Sequence, residues 1–212
     1  MMTNKVLGTV AAVLMLGSGL AQAQETTIKF GVTRYDTHAK TSGISGVGVP
    51  AGADASVGDA TTVIFVAERA LTPNIGIELV LGVPPKIKSR GAGSVAFLGE
   101  VMSARNVAPT LLLNYHFGQP GDAWRPYVGL GINYTKFADV KSPLAENVEM
   151  SDSVGPTVQA GIDYFFNKQW GVFASVAAVK VKSDLVATGS TVLTTTIDFR
   201  PLVYSTGVSY RF

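Results

Sequence analysis

Cysteine is absent from the 212 residues, so disulfides, thiolate metal sites and thiol nucleophiles are all excluded. Histidine is nearly as scarce, with only His38 and His116, which leaves little material for general-base chemistry. Charge is thin as well: Asp, Glu, Lys and Arg make up 15% of the chain, against roughly 25% in soluble domains. Together with a mean hydropathy of +0.29, this argues against a surface bathed wholly in water. Past residue 23, however, no apolar run approaches the roughly 18 to 20 residues that a membrane helix requires. Apolar surface without spanning helices leaves a closed β-barrel, in which every backbone N–H and C=O is satisfied inside the sheet. The net charge of +2 gives no basic tract that would suggest nucleic acid.

What is present starts with a secretory signal. Lys5 precedes an apolar run from Val6 to Leu20, and Ala21-Gln22-Ala23 has the A-x-A form of a cleavage site, so residues 1–23 read as a signal peptide and 24–212 as the exported barrel domain. Eight segments then alternate with a period of two, each long enough to cross a membrane as a tilted strand. They are Thr26 to Arg34, Thr61 to Leu71, Ile75 to Val83, Arg105 to Phe117, Arg125 to Thr135, Ser153 to Phe166, Gln169 to Val181 and Leu202 to Phe212. The last is the clearest: Leu202, Tyr204, Val208, Tyr210 and Phe212 lie on one face, with Ser205, Gly207, Ser209 and Arg211 on the other. The second, apolar on both faces, has no evident register.

Connections near 72–74, 118–123 and 167–168 are short, while 36–60, 84–103, 138–152 and 182–197 are long. That alternation predicts an all-β, eight-stranded antiparallel up-and-down transmembrane barrel, with tight periplasmic turns, long external loops and both termini in the periplasm. A soluble barrel has the same period with its faces exchanged. Here the polar positions are also the small ones, including Gly31, Gly129, Gly131, Gly161 and Gly207. An eight-stranded bore only just holds side chains, so the bulky Leu, Ile, Tyr and Phe face lipid.

Inside the bore the alternation places Lys29, Glu78, Asp163 and Arg211, with Asn114, Asn133 and Gln159 near them. Charges there must pair, either as a plug of the periplasmic half or as an ion path. The first external loop, with Ile44, Val47, Val49 and Pro50, is less polar than a solvated loop. It reads as a small-residue linker or, with Val95, Phe97 and Leu98 of the second loop, as a dry funnel for a hydrophobic solute. Leu112, Tyr127 and Phe173 then form its floor or gate. Pro84, Pro109, Pro156 and Pro201 fall toward the outer strand ends, where each removes a ladder donor. Either the rim is frayed, or the missing bonds let strands part so that a solute leaves sideways into lipid. His38 with Ser42 or Ser45 has no recognised catalytic spacing, and no catalytic, cofactor or metal residue is expected.

The segments GIELVLGVP (Gly76 to Pro84), APTLLLNYHFG (Ala108 to Gly118), WRPYVGLGINYTKF (Trp124 to Phe137), VQAGIDYFFNKQW (Val158 to Trp170) and the terminal GVSYRF resemble the OmpW family of outer-membrane proteins. GVPPKIKSRG (Gly82 to Gly91) is similar to its AlkL branch, whose members help alkanes cross the outer membrane. The resemblance implies an eight-stranded barrel with a narrow, largely apolar lumen that admits small hydrophobic molecules. The first loop has no match, so no particular ligand is implied. The expectation is therefore an outer-membrane barrel for passive uptake of hydrophobic solutes, with the bilayer as its surroundings and the outer-membrane assembly machinery engaging the Phe212 strand. The alternative is a structural or receptor-type barrel with a closed lumen.

Overall fold

A computed structural model describes residues 25–212 except 38, 146 and 189–191; the expected signal, 1–23, lies outside the described residues. Sixteen strands follow one another: β1 (Thr26–Asp36), β2 (Lys40–Thr41), β3 (Ser45–Gly46), β4 (Ala53–Val57), β5 (Ala60–Ala70), β6 (Ile75–Gly82), β7 (Lys86–Gly93), β8 (Glu100–Val107), β9 (Thr110–His116), β10 (Trp124–Lys141), β11 (Asn147–Met150), β12 (Ser153–Phe165), β13 (Trp170–Val179), β14 (Val181–Thr188), β15 (Val192–Phe199) and β16 (Leu202–Arg211). A 3₁₀ turn, Ala96–Leu98, separates β7 from β8.

Eight of these strands form the barrel. β12, β13, β16, β1, β5, β6, β9 and β10 pair in that order, all antiparallel, and β10 pairs back onto β12. The eight-stranded wall therefore has no free edge, as hydrocarbon demands. The seam between the first and last strands is tight, with Gly31 opposite Gly207. A Cβ on Gly31 would run into the Thr206 carbonyl and the Gly207 Cα, which is why this position has no side chain.

The pleat sorts side chains as their size predicts. Phe30, Leu130 and Val154 are 56%, 64% and 70% exposed, whereas Lys29, Thr33, Asn114 and Thr157 are buried in the bore. β5 resolves its ambiguous register with Val63 and Phe65 outward and Ile64, Val66 and Glu68 inward. At the end that carries Glu25 and Phe212, aromatic rings meet on the outer wall. Trp124 stacks near Tyr164 at 4.3 Å, and Trp170 and Phe212 pack edge-on against Tyr210 at 4.9 and 4.8 Å. Amphipathic rings are at home in such an interfacial girdle.

Three expectations need correction. The segments 36–60, 84–103, 138–152 and 182–197, expected as loops, hold strands. β10 outruns β9 and takes β8 as partner from Lys136↔Val107 onward, and β7 and β4 follow. β11, β14 and β15, with β2 and β3, form a second sheet. The cause is local: Lys86-Ile87-Lys88-Ser89-Arg90 and Val181-Lys182-Ser183-Asp184 carry the same two-residue period as the wall, with Ser89, Val181 and Ser183 buried. Secondly, the segment Arg105 to Phe117 is interrupted at Ala108-Pro109. Proline offers no N–H to the ladder, although the Pro109 carbonyl still accepts the Tyr134 N–H at 3.0 Å. Finally, the connection at 167–168 spans 166–169, where the Asn167 carboxamide oxygen accepts the Gln169 and Trp170 N–H groups at 2.9 and 2.7 Å.

Candidate functional site: a partitioned lumen

The interior is divided into compartments along the barrel axis. At the end away from the termini, Ile44, Val49, Leu98, Val101, Leu144 and Leu193 line an apolar chamber of about 300 Å³. It is assembled from segments of the supposed loops: Val101 lies on β8 and Leu193 on β15, Leu98 ends the 3₁₀ turn, and Ile44, Val49 and Leu144 lie in the connections between strands. Of the residues expected along a solute path, Val49 and Leu98 line it and Val47 stands at its exposed rim. Phe97 is 81% exposed in the 3₁₀ turn and is not part of the lining.

Below the chamber, Val181, Ile197 and Phe199 pack into one buried cluster with Phe137, whose ring stacks on Phe199 at a centroid distance of 6.0 Å. Ile197 faces the chamber and Val181 the bore beneath, so the cluster is the constriction between them. Nothing in the sequence marked it, because Phe199 belongs to a segment with no wall-like length.

Next comes a narrow compartment of about 70 Å³. Leu112, Tyr127 and Phe173 line it, each 3% exposed or less, together with Ile64 and Val66. The sequence does not single out these two β5 residues, because that strand is apolar on both faces.

The floor of this compartment is an ion-paired lock. The Lys29 ammonium, 1% exposed, lies 2.9 Å from Asp163, 3.4 Å from Glu68 and 3.7 Å from Glu78. Aromatic rings support it, with Nζ 4.7 Å from the Tyr127 centroid and 5.6 Å from that of Phe173, distances at which the ring face attracts a cation. Amide donors hold the carboxylates in turn: Asn114 donates to Glu68 at 3.2 Å and Gln159 to Glu78 at 2.8 Å. His116 Nε2 is 2.6 Å from Glu68 Oε1.

Of the expected polar network, Lys29, Glu78 and Asp163 meet here, and two others do not. Arg211 lies at the terminal mouth, its guanidinium 3.6 Å over the Phe165 ring and 3.6 Å from Glu25. Asn133 lies nearer the opposite end, donating to Thr110 Oγ1 at 2.8 Å and accepting from Thr135 Oγ1 at 2.6 Å. Glu68 and His116 are the unanticipated members. The signal for Glu68 was its parity with Ile64 and Val66, since a carboxylate midway along a strand cannot face lipid cheaply.

Glu68, His116 and Asp163 present ligand atoms within 4.8 Å of one another, a spread that a metal ion could bridge. The Lys29 ammonium already stands among them, however, and a second cation would have to displace it. Below the lock a wider mouth of about 170 Å³ opens toward the termini, lined by Arg125, Arg211 and Phe165 among others. His38 lies outside the described residues.

The prolines have distinct settings. Pro156 and Pro201 flank the end of β13: the Pro156 carbonyl accepts the Lys180 N–H at 3.1 Å and the Pro201 carbonyl accepts the Val179 N–H at 3.2 Å. Neither can return the second bond of its pair. Pro201 also lines the middle compartment. Pro84 sits between β6 and β7, and Pro109 between β8 and β9.

A closed eight-stranded sheet with a bulky apolar exterior, an aromatic girdle and a polar, side-chain-filled bore defines an outer-membrane β-barrel. The chain belongs to the OmpW family, whose model matches residues 22–212. It is 30% identical over 168 residues to outer membrane protein AlkL of Ectopseudomonas oleovorans, covering 79% of this chain and 73% of that one. It is likewise 30% identical over 168 residues to the dibenzothiophene metabolism operon protein PahQ of Pseudomonas aeruginosa, covering 77% of each. Among solved structures, OprG of Pseudomonas aeruginosa superposes with a TM-score of 0.82 at 26% identity, covering 90% of this chain and 97% of that one.

Proposed function

We propose that the barrel passes small hydrophobic molecules inward by diffusion, with both termini in the periplasm and the apolar chamber on the cell exterior. One observation carries this reading: an apolar chamber of about 300 Å³ sits above a bore whose lower half is closed by the Lys29 lock. A solute leaving water gains roughly 25 cal/mol per Å² of apolar area covered, so the chamber concentrates it without a coupled energy source. Val47 and Val49 form the entrance, with Leu98 beside them and Phe97 as an outer contact. Passing the Phe199 constriction, the solute meets Leu112, Tyr127 and Phe173 and goes no further, because displacing buried ion pairs costs several kcal/mol.

The exit is then sideways. Pro156 and Pro201 leave the end of β13 with half its ladder bonds on both flanks, and Pro201 already borders the compartment. Pro109, whose carbonyl accepts the Tyr134 N–H without a bond in return, thins the wall in the same way on the opposite side, and Pro84 adds a residue without an N–H beside it at the end of β6. The operon named for PahQ supports a hydrophobic solute as the class. No turnover chemistry belongs to this function, and assembly machinery recognises the strand that ends in Phe212.

The test is entry of a hydrophobic probe into cells with and without the chain, alongside ion current in planar bilayers. Uptake that depends on the chain, with little current, is expected; equal entry in its absence would favour a structural or receptor-type barrel whose lock simply closes the lumen. Pro156→Val with Pro109→Val should slow entry, and unchanged entry would remove the lateral exit.

A further inference from the structure

The two ends of the apolar belt differ in chemistry. Toward the termini the belt ends in Trp, Tyr and Phe; at the other end it gives way to cations. On β1 the outward series Phe30, Val32 continues to Arg34; on β10, Ile132 and Tyr134 continue to Lys136; on β8, Val107 is followed outward by Arg105; just past the end of β13, Ala178 is followed by Lys180; and just before β16, Leu202 is preceded by Arg200. All five cations are exposed.

Two of these strands, β8 and β10, crowd positive charge onto one patch with β7. Lys86 of β7 stands directly opposite Arg105 of β8, and Lys136 of β10 stands opposite Val107, two residues along from Arg105 on the same face. Like charges set opposite one another in a sheet repel. Arg105 is relieved by Asp139 at 3.2 Å, but Lys86 and Lys136 form no ion pair with another described residue. Above them Lys88 and Arg90 extend the column along β7, about 6.7 Å per step. Lys88 holds Glu100 at 2.7 Å, and the cations around Glu100 keep its carboxyl below the usual range, the Lys88 hydrogen bond foremost. Glu100 and Asp139 are the only acids within β7, β8 and β10.

We infer that the column formed by Lys86, Arg105 and Lys136, continued by Lys88 and Arg90, docks the phosphorylated sugar headgroup of an outer-leaflet glycolipid, lipopolysaccharide. Several features select that occupant. The patch begins where the lipid-facing wall of Val107 and Tyr134 ends, so acyl chains of the same molecule lie against the belt. It rises beyond the interface along β7, farther than one phosphate of a glycerophospholipid reaches, whereas a phosphorylated oligosaccharide continues outward. The opposite end of the belt has no comparable column. The inference rests on the orientation proposed above.

The experiment titrates purified full chain, in neutral detergent micelles, with deep-rough lipopolysaccharide. Lys86→Gln/Arg105→Gln/Lys136→Gln should weaken binding roughly a hundredfold, from the effect of three cations beside an anionic surface. Lys86→Arg/Lys136→Arg should retain it, and phosphatase-treated glycolipid should bind the native chain as poorly as the triple variant. Heat-shifted gel mobility checks that each variant is folded. Binding by the triple variant within about twofold of native, or equal competition by phosphatidylglycerol at matched phosphate, would overturn the docking. Because the chain has no cysteine, Lys88→Cys gives a single label for an impermeant maleimide. Labelling of intact cells supports the orientation. Labelling only after lysis would sink orientation and docking together, whereas lost micelle binding alone would leave the orientation and the solute path standing.

Discussion

Lys29→Met is the sharpest test of the lock. The substitution keeps the volume of the stem but removes the ammonium that three buried carboxylates share. These do not suffer equally. Glu68 keeps Asn114 and His116 as partners, and Glu78 keeps Gln159. Asp163, 3% exposed, has both carboxylate oxygens on Lys29, at 2.9 and 3.1 Å, and no other hydrogen bond or ion pair among the described residues. Breaking a buried pair from one side typically costs about 3–5 kcal/mol, and here the loss should fall mainly on Asp163. Adding Asp163→Asn removes the stranded charge, so the double variant should recover about 2 kcal/mol of that loss, a coupling typical of residues in contact. Urea unfolding in micelles, followed by the fluorescence of Trp124 and Trp170, measures all members of the cycle. A single variant within about 1 kcal/mol of native, or a double variant no more stable than Lys29→Met, would refute the claim that Lys29 locks the bore through Asp163.

Phe199→Ala opens the constriction between chamber and bore and should raise the initial rate of hydrophobic uptake while leaving ion current low, since the lock beneath is untouched; a lower uptake rate would mean that Phe199 is part of the path rather than its bottleneck. Gly31→Val pushes a branched side chain into the Thr206 carbonyl at the closing seam and should prevent the compact, heat-shifted form from appearing on gels, whereas Ser205→Ala nearby should fold normally. Outside the membrane, the Thr37 N–H and the Arg34 guanidinium, at 3.1 and 3.0 Å, hold the Asp59 carboxyl below the ordinary aspartate range. A depressed folded-state pKa means that this tie is present at neutral pH and is lost as pH falls through that lowered value, so the Thr37 amide resonance should titrate below about 3.9 and Asp59→Asn should abolish the transition.

The number of wall strands, the side of the sheet that meets lipid and the positions of the short turns are properties of single segments. They follow from a two-residue period, the placement of glycine opposite bulk, and the limited room inside an eight-stranded bore. Leu112, Tyr127 and Phe173 could be placed inside for the same reason. In the doubly apolar β5 the period is hidden, and the inward side, with Ile64, Val66 and Glu68, is marked only by the carboxylate of Glu68. The distal sheets were misjudged because short alternating stretches with glycine and proline between them look like loops until a neighbouring strand is there to pair with.

Alternation along the chain thus settles which way a residue points, since that depends only on its own strand. Which residues meet inside depends on how far each strand is shifted against the next as the sheet closes, and that shift is summed around the whole barrel. Only the closed tertiary structure, therefore, brings Lys29, Glu68, Glu78 and Asp163 together while sending Arg211 to the mouth and Asn133 toward the opposite end, and only it lifts Lys86, Arg105 and Lys136 from three separate strands onto one charged face.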